Sequence, residues 1–293
     1  MKDMFVASTL FWQTSLQDMT RQIKTDGLTG LEMWAQQFFY QNYDIEEYKT
    51  LAEAYGLRTL VHSCSWDLNL ASINESIRQA SVGQVIASLQ LAKAIGAEEV
   101  TVHPGHLTLA GITDRSCQIL HHSLEEISEA AASMSLAVSL EIMEKIKKEF
   151  VTTAAAMQTV TGELFPKFSY TVDIAHCDSL SEARQLLTFM PGVSKIHISN
   201  RRGAVYHTPL GEGDYDLSAF WPWLQKRNLP FVIEGYDDSR ECTIYKKNLA
   251  FLHSKEDSFD EKLEKESHSS GNDGCYHDGA GRLFRNRLGN EEK

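Results

Sequence analysis

The chain alternates between two hydrophobic periodicities. Short runs of apolar and β-branched residues, "MFVAST", "GLEMW", "RTLVHS", "EEVTVHPG", "AVSLEIM", "SYTVDIAH", "SKIHIS" and "PFVIEGYD", have the composition of buried strands. Between them lie longer stretches such as "DIEEYKTLAEAYG", "ESIRQASVGQVIASLQLAKAIGA", "TDRSCQILHHSLEEISEAAASM" and "DYDLSAFWPWLQKRN". In these, apolar residues recur every three or four positions and so line one face of a helix. Gly56 and Gly96 stand where two of these helices should end. Strand, helix, strand, repeated about eight times, predicts a parallel sheet covered by helices. That many units within about 250 residues favours a closed (β/α)8 barrel over an open sheet. No GxGxxG follows the first strand, so an open dinucleotide-binding sheet has little support. We place the barrel at residues 1–254. From 255 to 293 the chain turns polar, charged and aperiodic, which predicts a disordered tail. His268, Cys275 and His277 in that tail read as solvated side chains.

The polar residues interrupt this pattern at one recurring place, the end of a strand. "LVHS" ends in His62, "TVHPGH" in His103, and "SLEIM" carries Glu141. "TVDIAH" presents Asp173 and His176, "KIHIS" His197, and "VIEGYD" Glu234, while His207 follows in the loop "YHTPLGEGD". A parallel barrel opens all its strand C-termini on one face, so these side chains should converge on a common mouth. A lone histidine or carboxylate at a strand end is ordinarily a hydrogen-bonded structural residue. Recurrence on six strands is what points elsewhere. Several carboxylates gathered in a low-dielectric mouth repel one another, and imidazoles coordinate cations, so a divalent metal is the natural neutraliser. With no thiol among the candidates, the expected ion is Mn²⁺, Zn²⁺, Co²⁺ or Mg²⁺.

Composition narrows the setting. At 42% hydrophobic and 23% charged, the chain has ample material for a core. It contains no apolar run near the ~20 residues that span a bilayer, and its start lacks the features of a secretory signal. Five scattered cysteines without a CxxC pair argue against a disulfide framework and a thiolate zinc site, and suit a reducing cytoplasm. A formal net charge of −12 opposes nonspecific attraction to nucleic acid. A homo-oligomer is allowed by this composition, which specifies no interface.

Taken together in their order and spacing, "VHSCSWDLNLAS", "TVHPGH", "SLEIM", "TVDIAHCD", "KIHISN", "HTPLGEGD" and "VIEGYD" resemble the xylose isomerase-like TIM-barrel superfamily over residues 4–254. That superfamily holds sugar isomerases and epimerases and also the endonuclease IV family. The resemblance implies a metal bound by Glu141, Asp173, His197 and Glu234. It matches His62 and His103, with a bridging Glu141, to a further metal site of the endonuclease IV branch, and His176 and His207 to ligands of a third. The remaining third-metal ligand in that branch is an aspartate where this chain has Val205. Valine cannot coordinate, so one or two ions are expected.

Two chemistries suit such a site. In an isomerase or epimerase of a small sugar or sugar phosphate, Glu141 and Glu234 would remove and return a proton through an enediolate, while His176 and His207 bind hydroxyls. Arg201 and Arg202 in "SNRRG" would grip a phosphate or carboxylate, against the plainer reading of a solvated basic loop. The alternative is a phosphodiesterase of the endonuclease IV type, in which a metal-bound hydroxide attacks phosphorus and the histidines are ligands. The histidine surplus favours it; Val205 and the acidic charge oppose it. A catalytically idle barrel that only binds a chelated ligand is the third class, disfavoured by a full carboxylate quartet. Glu32 ends the strand "GLEMW" and suits either a substrate contact or a supporting role. The aromatic run "GLEMWAQQFFYQNYD" could stack on bases, wall a sugar pocket or pack against helices. Glu144 and the lysines 145, 147 and 148 fall on a segment expected beside the mouth. His106 is placed there too, and His121 and His122 on a helix.

Overall fold

The computed structural model describes residues 3–111 and 113–255. The chain divides into two compact units, Met1–Leu252 and His253–Lys293. Apart from Lys255, the expected tail, including His268, Cys275 and His277, lies outside the described residues.

The strands among the described residues are β1 (Met4–Ala7), β2 (Gly30–Trp34), β3 (Arg58–His62), β4 (Glu99–Val102), β5 (Ala137–Ile142), β6 (Ser169–Asp173), β7 (Val193–Ile198), β8 (Asn200–Arg202), β9 (Val205–Thr208) and β10 (Phe231–Ile233). Eight of them close into a barrel in the ring order β1-β10-β7-β6-β5-β4-β3-β2, while β8 and β9 form a separate antiparallel pair. Each predicted strand run contains one barrel strand, so the fold is the (β/α)8 barrel that the periodicity indicates. All barrel pairings are parallel, from Phe5↔Val232 at the closure to Asp173↔His197 between β6 and β7. β2 and β3 approach so closely at their start that a Cβ on Gly30 would lie 1.9 Å from the Arg58 carbonyl oxygen. Only glycine fits there.

The helices are α1 (Leu16–Thr25), α2 (Ala35–Tyr40), α3 (Ile45–Tyr55), α4 (Glu75–Ile95), α5 (Thr113–Met134), α6 (Ala154–Thr161), α7 (Leu180–Phe189) and α8 (Leu217–Gln225). Residues 243–252 add a closing helix that buries Tyr245, Leu249 and Leu252. Asp44 and Asn74 cap the starts of α3 and α4 by accepting from backbone amides. Gly56 and Gly96 end the same helices in the left-handed conformation, as their positions suggest. α4 turns Val82, Val85, Leu89 and Ala92 inward at helical spacing and its polar side to solvent. In "FWPWLQ", Trp221 is buried in the core and Trp223 lies half-buried under Arg184 and Arg227. No helix among the described residues is long and apolar enough to cross a membrane.

The interior is apolar between the strands and helices, whereas inside the ring polar side chains share the space with a small apolar cluster of Phe5, Ala7, Trp34, Leu60 and Val232. Towards the strand starts, Lys195 on β7 is 1% exposed and reaches Glu99 on β4, Nζ to Oε2 2.5 Å. Ser139 and Thr171 hydrogen-bond each other nearby at 2.6 Å. This pair sits at the end of the barrel away from the acidic and imidazole residues, so it supports the ring without entering the site.

Candidate metal centre

Strand direction determines where the chemistry gathers. His62 is the last residue of β3, His103 follows β4 by one position, Glu141 lies within β5, and Asp173 ends β6. His197 lies in β7 and Glu234 follows β10 by one. All of these mark the C-terminal end of the ring. His207 arrives differently, on β9. The buried Asn200 side chain organises that excursion, donating to the carbonyls of Leu210 and Tyr215 at 3.0 and 2.9 Å. The hairpin thereby folds back over the mouth, and His207 takes a left-handed backbone, φ 58°.

The distances form one connected cluster. Glu141 Oε2 lies 3.6 Å from His62 Nε2 and 3.3 Å from His103 Nε2, and those two nitrogens are 3.2 Å apart. Glu141 Oε1 faces His176 Nδ1 at 3.3 Å and His197 Nδ1 at 3.6 Å. His197 Nδ1 is also 2.9 Å from Glu234 Oε2. Asp173 Oδ2 lies 3.7 Å from both His176 Nε2 and His207 Nδ1. Three groups result, each with its ligand atoms within 4.8 Å of one another: His62–His103–Glu141, Glu141–Asp173–His197–Glu234, and Asp173–His176–His207. Glu141 and Asp173 are each shared by two groups. The structure therefore brings together every acidic and imidazole residue expected at the mouth. Arg201 and Arg202 are the exceptions.

The cluster carries more negative charge than it can satisfy. Both oxygens of Glu141, Asp173 Oδ2, Glu234 Oε2 and His197 Nδ1 are buried without a hydrogen-bond partner among the described residues. His197 and Glu234 are close enough to attract, but they are misaligned for a hydrogen bond. A buried orphaned polar atom costs about 1–3 kcal/mol, more when charged, so five on four neighbouring side chains call for a cation. The imidazoles partly supply one. Burial pushes His197 down, yet Glu32, Glu234 and Glu141 outweigh it and hold the ring well above its ordinary range. Burial likewise lowers His176, but Asp173 and Glu141 carry it up to about 9. Burial lifts the Asp173 carboxyl to about 7 against the pull of His176. Oxygen and imidazole donors without thiolate suit a borderline or hard divalent ion. Cys64 and Cys177, both free and buried, belong to none of the three groups. The residues present thus fit a divalent metal.

Other sequence-marked residues fall as follows. Arg201 stacks over Tyr206 and donates to the carbonyls of Cys177 and Gly203, and neither it nor Arg202 lines the cavity above the cluster. Glu32 is fully buried beneath His197, with Oε2 3.2 Å from Nε2, and accepts from Thr101 Oγ1 at 2.6 Å. Burial raises that carboxyl, but the facing His197 brings it down to about 2. Glu32 therefore fixes the His197 ring and is out of a substrate's reach. Glu144, Lys148 and His106 line the cavity, while Lys145 is tied to Asp178 and Glu182. His121 and His122 lie on α5, where acidic neighbours include Glu163 and Glu125. Two features escaped the sequence pattern. Glu149 lines the cavity and is pushed up to about 7 by burial and by Glu144. The other is the partner of Trp34, a member of the aromatic run: it stacks on His62, rings 3.8 Å apart.

Fold and site together define a parallel barrel whose mouth is a carboxylate–imidazole cage. The chain belongs to the xylose isomerase-like TIM barrel family, whose model matches residues 20–255. Among solved structures, a D-tagatose 3-epimerase-like protein superposes with a TM-score of 0.74 at 20% identity, covering 89% of this chain and 99% of that one. An L-ribulose 3-epimerase superposes with a TM-score of 0.71 at 17% identity, covering 91% and 98%. Identities this low establish likeness of fold. A probable endonuclease 4 from Solibacter usitatus is 26% identical over 226 residues, 66% of this chain and 77% of its own length. The fold is thus shared with structures of epimerases, and a sequence relative is a probable endonuclease.

Proposed function

We propose that the protein is a divalent-metal-dependent isomerase or epimerase of a small sugar or sugar phosphate. The observation that carries the reading is the quartet Glu141–Asp173–His197–Glu234, buried at the strand ends with unpaired oxygens turned on one another. When bound there, a divalent ion would polarise the carbonyl of a chelating sugar and acidify the adjacent C–H.

The chain's own groups account for the rest. Glu141 and Glu234 come from strands three places apart in the ring, so they approach a bound sugar from different faces. One enters as carboxylate and takes the proton from carbon, leaving the C–H electron pair in an enediolate. The other enters as carboxylic acid and returns a proton from its own side, and the two leave with roles exchanged. His176 and His207, on the wall beside them, hold hydroxyls. Glu32 keeps His197 from turning by engaging its far nitrogen. With Arg201 and Arg202 outside the cavity lining, Lys148 is the sole lysine or arginine lining the cavity among the described residues, which suits a neutral sugar better than a phosphorylated one.

The nuclease reading has its own support in the Asp173–His176–His207 group and in the similarity to a probable endonuclease 4. Against it, that group owns no carboxylate beyond the one it shares with the quartet. Val205, at the position of the missing ligand, is 62% exposed on the cavity wall. Incubation in D₂O with a panel of ketoses and sugar phosphates decides between them. The expected result is deuterium at the carbon beside the carbonyl of at least one recovered substrate. Incision of an abasic-site duplex with no such exchange would overturn the assignment.

A further inference from the structure

The cavity above the cluster measures about 1320 Å³, larger than the ~300–1,000 Å³ of ordinary small-molecule pockets. A monosaccharide held by the quartet would leave most of it unfilled. The surplus space has a particular wall. Trp34, Trp66 and Tyr236 line it: Trp34 stacks on His62 at 3.8 Å and 7°, Trp66 follows 5.6 Å from Trp34, and Tyr236 lies 6.3 Å from Trp66. Trp12, which does not itself line the cavity, backs these rings at 5.5 Å from Trp66 and 5.4 Å from Tyr236, with Tyr40 5.6 Å from it. These rings follow β1, β2, β3 and β10, which are adjacent in the ring, so they form one continuous face running outward from the metal-site histidine.

Large aromatic groups are seldom left in water without use, yet Trp66 is 40% and Tyr236 46% exposed. A hydroxyl acceptor accompanies them: Asp67, next to Trp66 in the chain, is exposed and lines the same cavity. Charge excludes one occupant. Asp67 lines the cavity beside Trp66, while Lys148 lines it from the segment after β5, where its carbonyl accepts from Leu107 after β4. A carboxylate next to the aromatic face repels a nucleotide's phosphate and tolerates a neutral ring.

We propose that this wall is a second subsite, holding the non-reacting ring of a glycoside, so that the substrate is a sugar linked to another sugar. The inference rests on the isomerase or epimerase reading for the reacting ring. A pyranose offers C–H groups on one face and hydroxyls at its edge, matching aromatic planes flanked by the exposed Asp67 carboxylate.

Calorimetric titration of the full chain as purified with lactulose, maltulose and isomaltulose against D-fructose tests this. At least one disaccharide should bind about tenfold tighter than D-fructose. Trp66→Ala should remove that margin while leaving D-fructose affinity unchanged, and Trp66→Phe should retain most of it. Tyr236→Ala, at an exposed position, gives the same test without risk to the fold. Equal affinity of all four sugars, or a margin that survives both alanine variants, overturns the subsite. So does an abasic oligonucleotide whose binding alone depends on Trp66. Because binding is read without turnover, exchange on D-fructose with no disaccharide margin removes only the subsite. A margin without any exchange removes only the reaction.

Discussion

Replacing Glu141 by glutamine should lower turnover of any substrate that exchanges deuterium by about a thousandfold or more, as general acid–base groups contribute ~10²–10⁴. The reason is position. Glu141 turns one oxygen to His62 and His103 and the other to His176 and His197, and both oxygens are otherwise unpaired. Glutamine has the same volume, so this fully buried site repacks without a cavity. Its NH₂ group, however, can neither take a proton from carbon nor coordinate a cation. Two metal-ligand groups share this side chain, so metal content should fall together with the rate. Glu234→Gln strikes one group only and should retain more metal for a comparable loss of rate. Steady-state exchange rates beside elemental analysis of both variants read the difference. A Glu141→Gln protein turning over within about tenfold of wild type would remove Glu141 from the chemistry.

The parts of this site that sequence reveals are those that follow from strand direction. His62, Asp173 and Glu234 stand at or just past strand ends, and a parallel ring leaves such residues nowhere to point but the mouth. Arg201 was not legible in the same way. It too follows a strand, but Asn200 ties the loop to Leu210 and Tyr215, and the guanidinium finds carbonyls at Cys177 and Gly203 instead of the cavity. The pairing of Lys195 with Glu99 links residues 96 positions apart, and neither carries a periodic signal. The aromatic wall is partly hidden for a related reason. Trp12, Trp66 and Tyr236 sit in separate loops that no periodicity links, while Tyr40 belongs to the aromatic run for which a sugar-pocket wall is one of three readings. They meet because the ring closes β10 against β1. Glu32 shows the reverse case, with the sequence marking a functional strand end and register alone showing that it lies under His197.

Stripping divalent ions with a chelator should lower the melting temperature of the purified chain by about 8–16 °C. The cage is assembled from β3, β4, β5, β6, β7 and the segment after β10, which an unfolded chain scatters, so a cation binds the folded state almost exclusively. A ligand of that kind present at ~1,000 times its Kd stabilises by about 4 kcal/mol. In a domain of this size each kcal/mol moves the midpoint by about 2–4 °C. Without the ion, Glu141, Asp173 and Glu234 must be neutralised by protonated imidazoles alone, which leaves carboxylate oxygens in the interior unpaired. Returning Mn²⁺, Zn²⁺, Co²⁺ or Mg²⁺ singly should restore the midpoint for the ions the cage accepts. Elemental analysis of the restored protein should give one or two per chain, because Val205 stands where the Asp173–His176–His207 group would need a further ligand and valine cannot coordinate. The Glu141→Gln protein should show a much smaller shift on stripping, since its cage is already incomplete. An unchanged midpoint after exhaustive chelation, in protein shown to be metal-free, would mean that the unpaired oxygens are satisfied by protons and that the cage serves no cation.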